Sequence, residues 1–228
     1  TKDYSITASS GQPTCTAERW VLVDTRAPDA PIGLQVDGGT DWRSVNSFDL
    51  EWANPSGQRS SIISAEYSIY DDQAALVEGP TRVGATGIQS LRSIDVPGPG
   101  SFRIAVKLVD EAGNVGQPAS AILKFDDGRP GNVAPEDSPG WISGDELPLR
   151  QTIERAAPGG PSGVEGYAMS VSRGQIENPC PTGTCSGAEL TVAGGQDQRT
   201  VVVPDLSEGT HWISTVAASG ARLASEEP

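Results

Sequence analysis

Hydrophobic and polar residues alternate along many short stretches of this chain. Phe48, Leu50 and Trp52 are separated by acidic residues, and the same period of two recurs around residues 66–70 and 103–108. Alternation over roughly five to seven residues, bounded by Gly, Pro, Asn and Asp, predicts half-buried antiparallel strands. No longer window carries a helical stripe. The pattern therefore predicts an all-β protein built from tandem antiparallel β-sandwiches.

The pattern returns after about one hundred residues. Asp24-Thr-Arg-Ala-Pro28 recurs as Asp127-Gly-Arg-Pro130, and Tyr67 recurs as Tyr167. A partial third copy opens the chain, because Tyr4-Ser-Ile-Thr-Ala8 matches a late strand of the unit. We predict the last strands of a preceding repeat in residues 1–27, one sandwich in residues 28–127, and a second sandwich in residues 128–228.

Each predicted sandwich has its own candidate core, and each end of the chain has an excess or a deficit of strands. The second unit stops at Ser225-Glu-Glu-Pro228, where a final strand is expected to begin. A sandwich without that strand exposes an unpaired edge, so we expect a longer polypeptide or strand exchange between chains. The residues expected in the cores are Trp52, Tyr67, Phe102 and Val106 in the first sandwich, and Tyr167, Trp212 and Val216 in the second.

Two stretches resemble known families. Ala30-Pro-Ile-Gly-Leu-Gln-Val36 followed by Phe48-Asp-Leu-Glu-Trp52 resembles the opening of a fibronectin type III domain, in which Trp52 stands at the family's core tryptophan. Val109-Asp-Glu-Ala-Gly-Asn-Val115 resembles a hairpin of bacterial immunoglobulin-like repeats. Ile153 stands where that tryptophan would recur, so the second copy departs from the family. The resemblance implies tandem repeats of a large secreted or surface protein, a fold that serves several functions.

Composition narrows the class of protein. Thirty acidic residues against sixteen basic ones give a formal charge of −14, which argues against a nucleic-acid partner. No apolar run approaches the ~20 residues of a membrane span. Arginine outnumbers lysine thirteen to three, which suggests a GC-rich, actinobacterial-type genome.

The cysteines indicate an oxidising compartment. Cys180 and Cys185 flank a Pro-Thr-Gly-Thr turn that can bring their thiols within disulfide range. Zinc is the alternative, but a zinc site needs four ligands and the chain has one histidine, His211. Cys15 is left without a partner in this pairing. We therefore expect an extracellular or cell-surface location.

Candidate chemistry is sparse. His211 has no motif around it that would supply a nucleophile or an orienting carboxylate, so we predict no enzymatic activity. We predict no cofactor, with calcium as the alternative, because acidic side chains near domain junctions suit a hard cation. Aspartates in turns also cap their own backbone, which is the competing interpretation. The calcium candidates are Asp24, Asp110, Asp126 and Asp127, with Asn114 beside them.

Two tryptophans are candidate binding residues. Trp42 and Trp141 lie in loops after the Pro-rich linkers, and exposed aromatic rings can stack against sugars. Their recurrence at matched positions favours packing under the first loop or against the linker instead.

We therefore predict a non-catalytic extracellular spacer segment of a larger surface or fibre-forming protein. Its partners would be other repeats of the same polypeptide or neighbouring subunits. The alternative is an adhesin or a glycan- or protein-binding module, ancillary to a secreted enzyme.

Overall fold

The structure is a computed structural model that describes residues 2–7, 16–133, 140–143, 147–152, 156–193, 198–203 and 205–226. Side chains are described for residues 21–133, 140–143, 156–190 and 205–226. All regular elements in these ranges are β-strands, and every strand pair is antiparallel. The predicted all-β fold is confirmed. No helix in these ranges is long and apolar enough to cross a membrane.

The first sandwich contains seven strands in two sheets. A three-stranded sheet has the order β3-β4-β7, and a four-stranded sheet has the order β6-β5-β8-β9. This arrangement is that of a fibronectin type III or immunoglobulin-like sandwich. The strands are β3 (Ile32–Val36), β4 (Phe48–Ala53), β5 (Ile62–Tyr70), β6 (Leu76–Gly84), β7 (Ser90–Ile94), β8 (Gly100–Asp110) and β9 (Ala119–Phe125).

One continuous hydrophobic core fills the space between these two sheets. In β4, Phe48, Leu50 and Trp52 are buried, whereas the intervening residues point outward. Tyr67 and Val106 are buried as predicted, and Phe102 is partly buried against the cluster. The Trp52 indole N–H donates to Asn54 Oδ1 at 3.0 Å, so this core tryptophan leaves no unpaired donor.

Five strands of the second sandwich lie within the described residues. Its strands form a two-stranded sheet, β10-β13, and a three-stranded sheet, β12-β11-β14. Tyr167 and Ala217 are buried on the inner face of the three-stranded sheet, and Ala168 and Val216 are buried on its outer face. The strands are β10 (Leu147–Thr152), β11 (Val164–Arg173), β12 (Leu190–Ala193), β13 (Gln198–Val203) and β14 (His211–Ser219).

The chain opens with a separate hairpin. Strands β1 (Lys2–Thr7) and β2 (Thr16–Val21) pair antiparallel with Lys2 opposite Val21. Among the described strands they pair only with each other. The hairpin precedes the first linker as the hairpin of β8 and β9 precedes the second.

Two details of the predicted repeat are wrong. Trp212 is 44% exposed, because it lies on the outer face of β14 and not between the sheets. Strand pairing also corrects the match between the two tyrosines. Ile62 lies opposite the last residue of β8, and Val164 lies opposite the last residue of β14, so these two residues correspond. Counted from them, the residue that matches Tyr67 is Met169 and not Tyr167. Tyr167 is still buried, because a shift of two residues keeps a side chain on the same face.

Candidate functional site at the joint between the sandwiches

The linker between the sandwiches begins at Asp126, whose side chain is fully buried. Its Oδ1 accepts a hydrogen bond from the Gly128 backbone N–H at 2.9 Å, and its Oδ2 accepts one from the Ser162 N–H at 2.9 Å. The Asp126 N–H donates to the Arg43 carbonyl of the first sandwich at 2.9 Å. One residue is therefore hydrogen-bonded to both sandwiches.

Two consecutive glycines allow the second sandwich to approach this linker. A Cβ atom at Gly160 would overlap the Asp126 carboxylate, and a Cβ atom at Gly159 would overlap the carbonyl of Arg129. Any side chain at either position would separate the backbones. The Gly159-Gly160 pair is thus required by close packing at the joint.

Arg129 attaches the same linker to two loops of the second sandwich. Its Nη1 donates to the Gly183 carbonyl at 3.1 Å and to the Ala224 carbonyl at 2.7 Å. Those loops are also bonded to each other, because the Ala224 N–H donates to the Gly183 carbonyl at 3.0 Å. The guanidinium group therefore holds the linker against a preformed pair of carbonyls.

Gly183 belongs to an insertion that we call the Cys loop, residues 174–189 between β11 and β12. Cys180 and Cys185 form a disulfide within it, with an S–S distance of 2.04 Å. Both cysteines are buried against Ala168 and Val216 on the outer face of the sheet. The corresponding connection in the first sandwich is the short turn 71–75, so the Cys loop adds a second hydrophobic layer to the second sandwich only.

A similar joint precedes the first sandwich. Asp24 Oδ1 accepts from the Arg26 N–H at 3.0 Å, and its Oδ2 accepts from the Ser60 hydroxyl at 2.7 Å. These bonds, the Arg26 amide first and the Ser60 hydroxyl second, lower the pKa of Asp24 below its usual value.

The two joints have the same spacing along the chain. Ser60 follows Asp24 by 36 residues, and Ser162 follows Asp126 by 36 residues. The structural counterpart of Asp24 is therefore Asp126, and the predicted match with Asp127 is wrong by one residue.

Three of the four calcium candidates, Asp24, Asp110 and Asp126, accept hydrogen bonds from the protein with both carboxylate oxygens. Asp110 Oδ1 accepts from the Asn114 N–H at 2.8 Å, and Oδ2 accepts from the Asn114 side-chain amide at 3.0 Å. That amide also donates to the Asp24 carbonyl at 3.2 Å, so the hairpin after β8 holds the first linker. Asp127 is exposed. Within the described ranges no three His, Cys, Asp or Glu side chains form a metal-binding group.

The two candidate tryptophans lie in different environments. Trp42 is half-buried and lines a crevice of about 570 Å³ between the sandwiches, together with Asp41, Ser162, Glu165, Gly220 and Arg222. The Ser162 hydroxyl is buried and has no hydrogen-bond partner. Arg222 forms an ion pair with Glu165 at 2.8 Å on the second sandwich's side of this crevice.

Trp141 is 99% exposed, so the packing predicted for it is wrong. It borders an open cleft of about 850 Å³ with Ile142, Leu206, Glu208 and His211. His211 Nε2 lies 2.8 Å from the Ser207 carbonyl. This contact joins the imidazole ring to the backbone of a residue four positions earlier, and it brings neither a nucleophile nor a carboxylate to the ring.

Sequence reasoning missed Ser60, Ser162 and Arg129 as residues of the joints. The Asp-to-Ser spacing of 36 residues in both repeats was the signal that could have identified the two serines. Arg129 gave no such signal, since the residue 102 positions earlier is Ala27.

The chain is similar to solved structures at low identity. No family model and no curated protein matches it. A structure titled "Myokine structure" is 14% identical, with a TM-score of 0.31, and the match covers 44% of this chain and all of the other. The crystal structure of chicken CNTN1 FN1–FN3 domains is 14% identical, with a TM-score of 0.41, over 97% of this chain and 73% of the other. The fold assignment rests on the sheet topology.

Proposed function

We propose that this chain is a non-catalytic structural segment of a larger extracellular surface or fibre-forming protein from a GC-rich bacterium. Its partners are other repeats of the same polypeptide or neighbouring subunits. The observation that carries the proposal is the Asp–Ser link, which occurs at both joints with the same spacing of 36 residues. A repeated joint that fixes one sandwich to the next suits a spacer that must hold its length.

Further features support this role. The linkers contain Pro28, Pro31 and Pro130, which restrict the backbone toward extended conformations. The buried disulfide of the Cys loop fits an oxidising, extracellular location. His211, the sole histidine, has no catalytic arrangement around it among the described side chains.

The test is the relative motion of the two sandwiches. ¹⁵N relaxation on the 228-residue chain should give one anisotropic rotational diffusion tensor for both sandwiches, and small-angle scattering should give the length of an extended rod. Separate correlation times for the two sandwiches would contradict the proposal, because a spacer with free joints does not hold its length.

A ligand-binding module is the second candidate, and the exposed Trp141 beside an open cleft favours it. An exposed aromatic ring next to polar groups is a common platform for sugars. Glycan-array binding that Trp141→Ala abolishes would support this function. Trp212→Ala is the matched control, since Trp212 is also exposed but does not line the cleft.

A further inference from the structure

Trp42 and Trp141 occupy the same place in their two sandwiches. Trp42 lies six residues before β4, which begins at Phe48, and Trp141 lies six residues before β10, which begins at Leu147. β4 pairs with β7, the strand that precedes the long strand β8, and β10 pairs with β13, the strand that precedes the long strand β14. β4 and β10 therefore correspond. The tryptophans therefore belong to equivalent loops.

Their surroundings differ because only one of the two loops faces another sandwich. Trp42 faces Gly220 and Arg222 in the hairpin after β14, and Ser162 and Glu165 at the start of β11. Among the described residues, the cleft beside Trp141 is lined by the second sandwich alone, and Trp141 is almost completely exposed. Ile142 beside it is also exposed at the same cleft, and a patch of neighbouring exposed apolar side chains marks an interaction surface.

We infer that Trp141 faces the leading end of a following sandwich of this repeat type, as Trp42 faces the second sandwich across the crevice. In the second sandwich the leading end is formed by the turn after β14, which contains Arg222, and by the loop before β11, which contains Ser162. The inference rests on the proposed structural function and extends it to the next joint along the fibre. The cleft beside Trp141, lined by Leu206 and Glu208, would become the next inter-sandwich crevice.

Backbone equivalence gives a chain with which to test this. The Gly116 N–H donates to the Leu108 carbonyl, and the Ser225 N–H donates to the Ala217 carbonyl in the matching position. Residues 117–228 appended directly after Ser225 therefore supply a last strand, a linker and a third sandwich in the spacing of the existing joint. The appended copy carries Trp141→Phe, so that only the Trp141 of the second sandwich is observed.

The measurement is acrylamide quenching of Trp141, obtained as the difference between each chain and its Trp141→Phe variant in the second sandwich. In the 228-residue chain Trp141 should be quenched as a free indole is. In the extended chain the quenching constant should fall several-fold, toward the value that Trp42→Phe difference spectra give for Trp42. A Trp141 that is quenched equally in both chains overturns the inference.

A second extension guards against failure of the appended unit to fold. Residues 15–126 after Ser225 add the first sandwich, which has one continuous hydrophobic core, in the same spacing. Either extension that shows the near-ultraviolet circular dichroism of a folded third sandwich decides the question. Protection of Trp141 by an oligosaccharide such as cellohexaose, without protection by either appended sandwich, would assign the cleft to sugars and overturn the inference. Joint motion between the first two sandwiches is measured separately by ¹⁵N relaxation, so a failed docking test leaves the proposed function standing.

Discussion

Replacement of Asp126 by alanine tests the joint directly. The substitution removes both acceptors of a buried carboxylate and leaves the Gly128 and Ser162 N–H groups without partners. Since neither N–H lies in a strand ladder, no neighbouring carbonyl replaces the lost acceptor without movement of the linker. We expect the linker to separate from the second sandwich more often, while both sandwiches remain folded.

The magnitude follows from the number of bonds. A hydrogen bond to a charged group contributes ~1.5 kcal/mol at the lower end of the usual range. Two such bonds give about 3 kcal/mol, which corresponds to roughly a 100-fold increase in the equilibrium constant for opening. Asp126→Asn keeps one acceptor oxygen, so its effect should be smaller.

Hydrogen exchange at Gly131 provides the assay. The Gly131 N–H donates to the Ala157 carbonyl of the second sandwich at 2.9 Å, and Asp126 does not take part in that bond. Exchange at Gly131 should therefore accelerate roughly 100-fold in Asp126→Ala. Asp127→Ala is the matched control, because Asp127 is adjacent but exposed. Equal Gly131 exchange in the Asp126→Ala and Asp127→Ala variants would refute a joint held by the Asp126 carboxylate.

Three further predictions address the other parts of the molecule. Because the pKa of Asp24 is lowered in the folded state, its stabilising contribution is present above about pH 4 and is lost as the pH falls through the folded pKa. Melting temperatures measured from pH 6 to pH 2 should therefore fall less steeply for Asp24→Asn than for the wild type. Parallel curves for the two proteins would contradict this prediction. The double variant Cys180→Ala, Cys185→Ala should lower the free energy of unfolding of the second sandwich by about 2 kcal/mol, which lowers its melting temperature by roughly 10 °C and leaves the first sandwich folded. Calorimetry measures the two unfolding transitions. A lower melting temperature of the first sandwich would show that the Cys loop also stabilises that sandwich. Removal of divalent cations with EDTA should leave the melting temperature unchanged, because the oxygens of Asp24, Asp110 and Asp126 are occupied by N–H and O–H donors; a drop on chelation that added calcium reverses would support the calcium interpretation instead.

The sequence predicted the strands of the first sandwich well, because alternation in segments such as 48–52 is set by one buried face. The prediction failed at Trp212. The Cys loop buries Val216 and Ala218 on the outer face of β14, but it does not extend to Trp212 on the same face. A period of two shows that two faces differ, and it does not show which face meets the other sheet. The exposure of Trp212 could be predicted only if the packing of the Cys loop on β14 were already known.

The joints are harder to predict for a related reason. Their residues are a carboxylate, a serine and, at the second joint, a glycine pair, all of which also occur in ordinary turns. Their role appears only when residues 36 positions apart are brought together. The equal spacing of 36 residues in the two repeats is the signal in the sequence that marks the two serines.

 The two joints share the Asp–Ser hydrogen bond but differ in their additional contacts. Both use an aspartate of the linker and a serine in the loop before β5 or β11, whereas only the second joint adds Arg129, bonded to Gly183 in the Cys loop. The residue that corresponds to Arg129 at the first joint is Ala27, which has no side-chain donor. Because the disulfide orders the loop that presents the Gly183 carbonyl, it acts on the linker as well as on the fold of the second sandwich. The insertion therefore gives the second joint a contact that the first lacks, and the order of the Cys loop sets how firmly the two sandwiches are held.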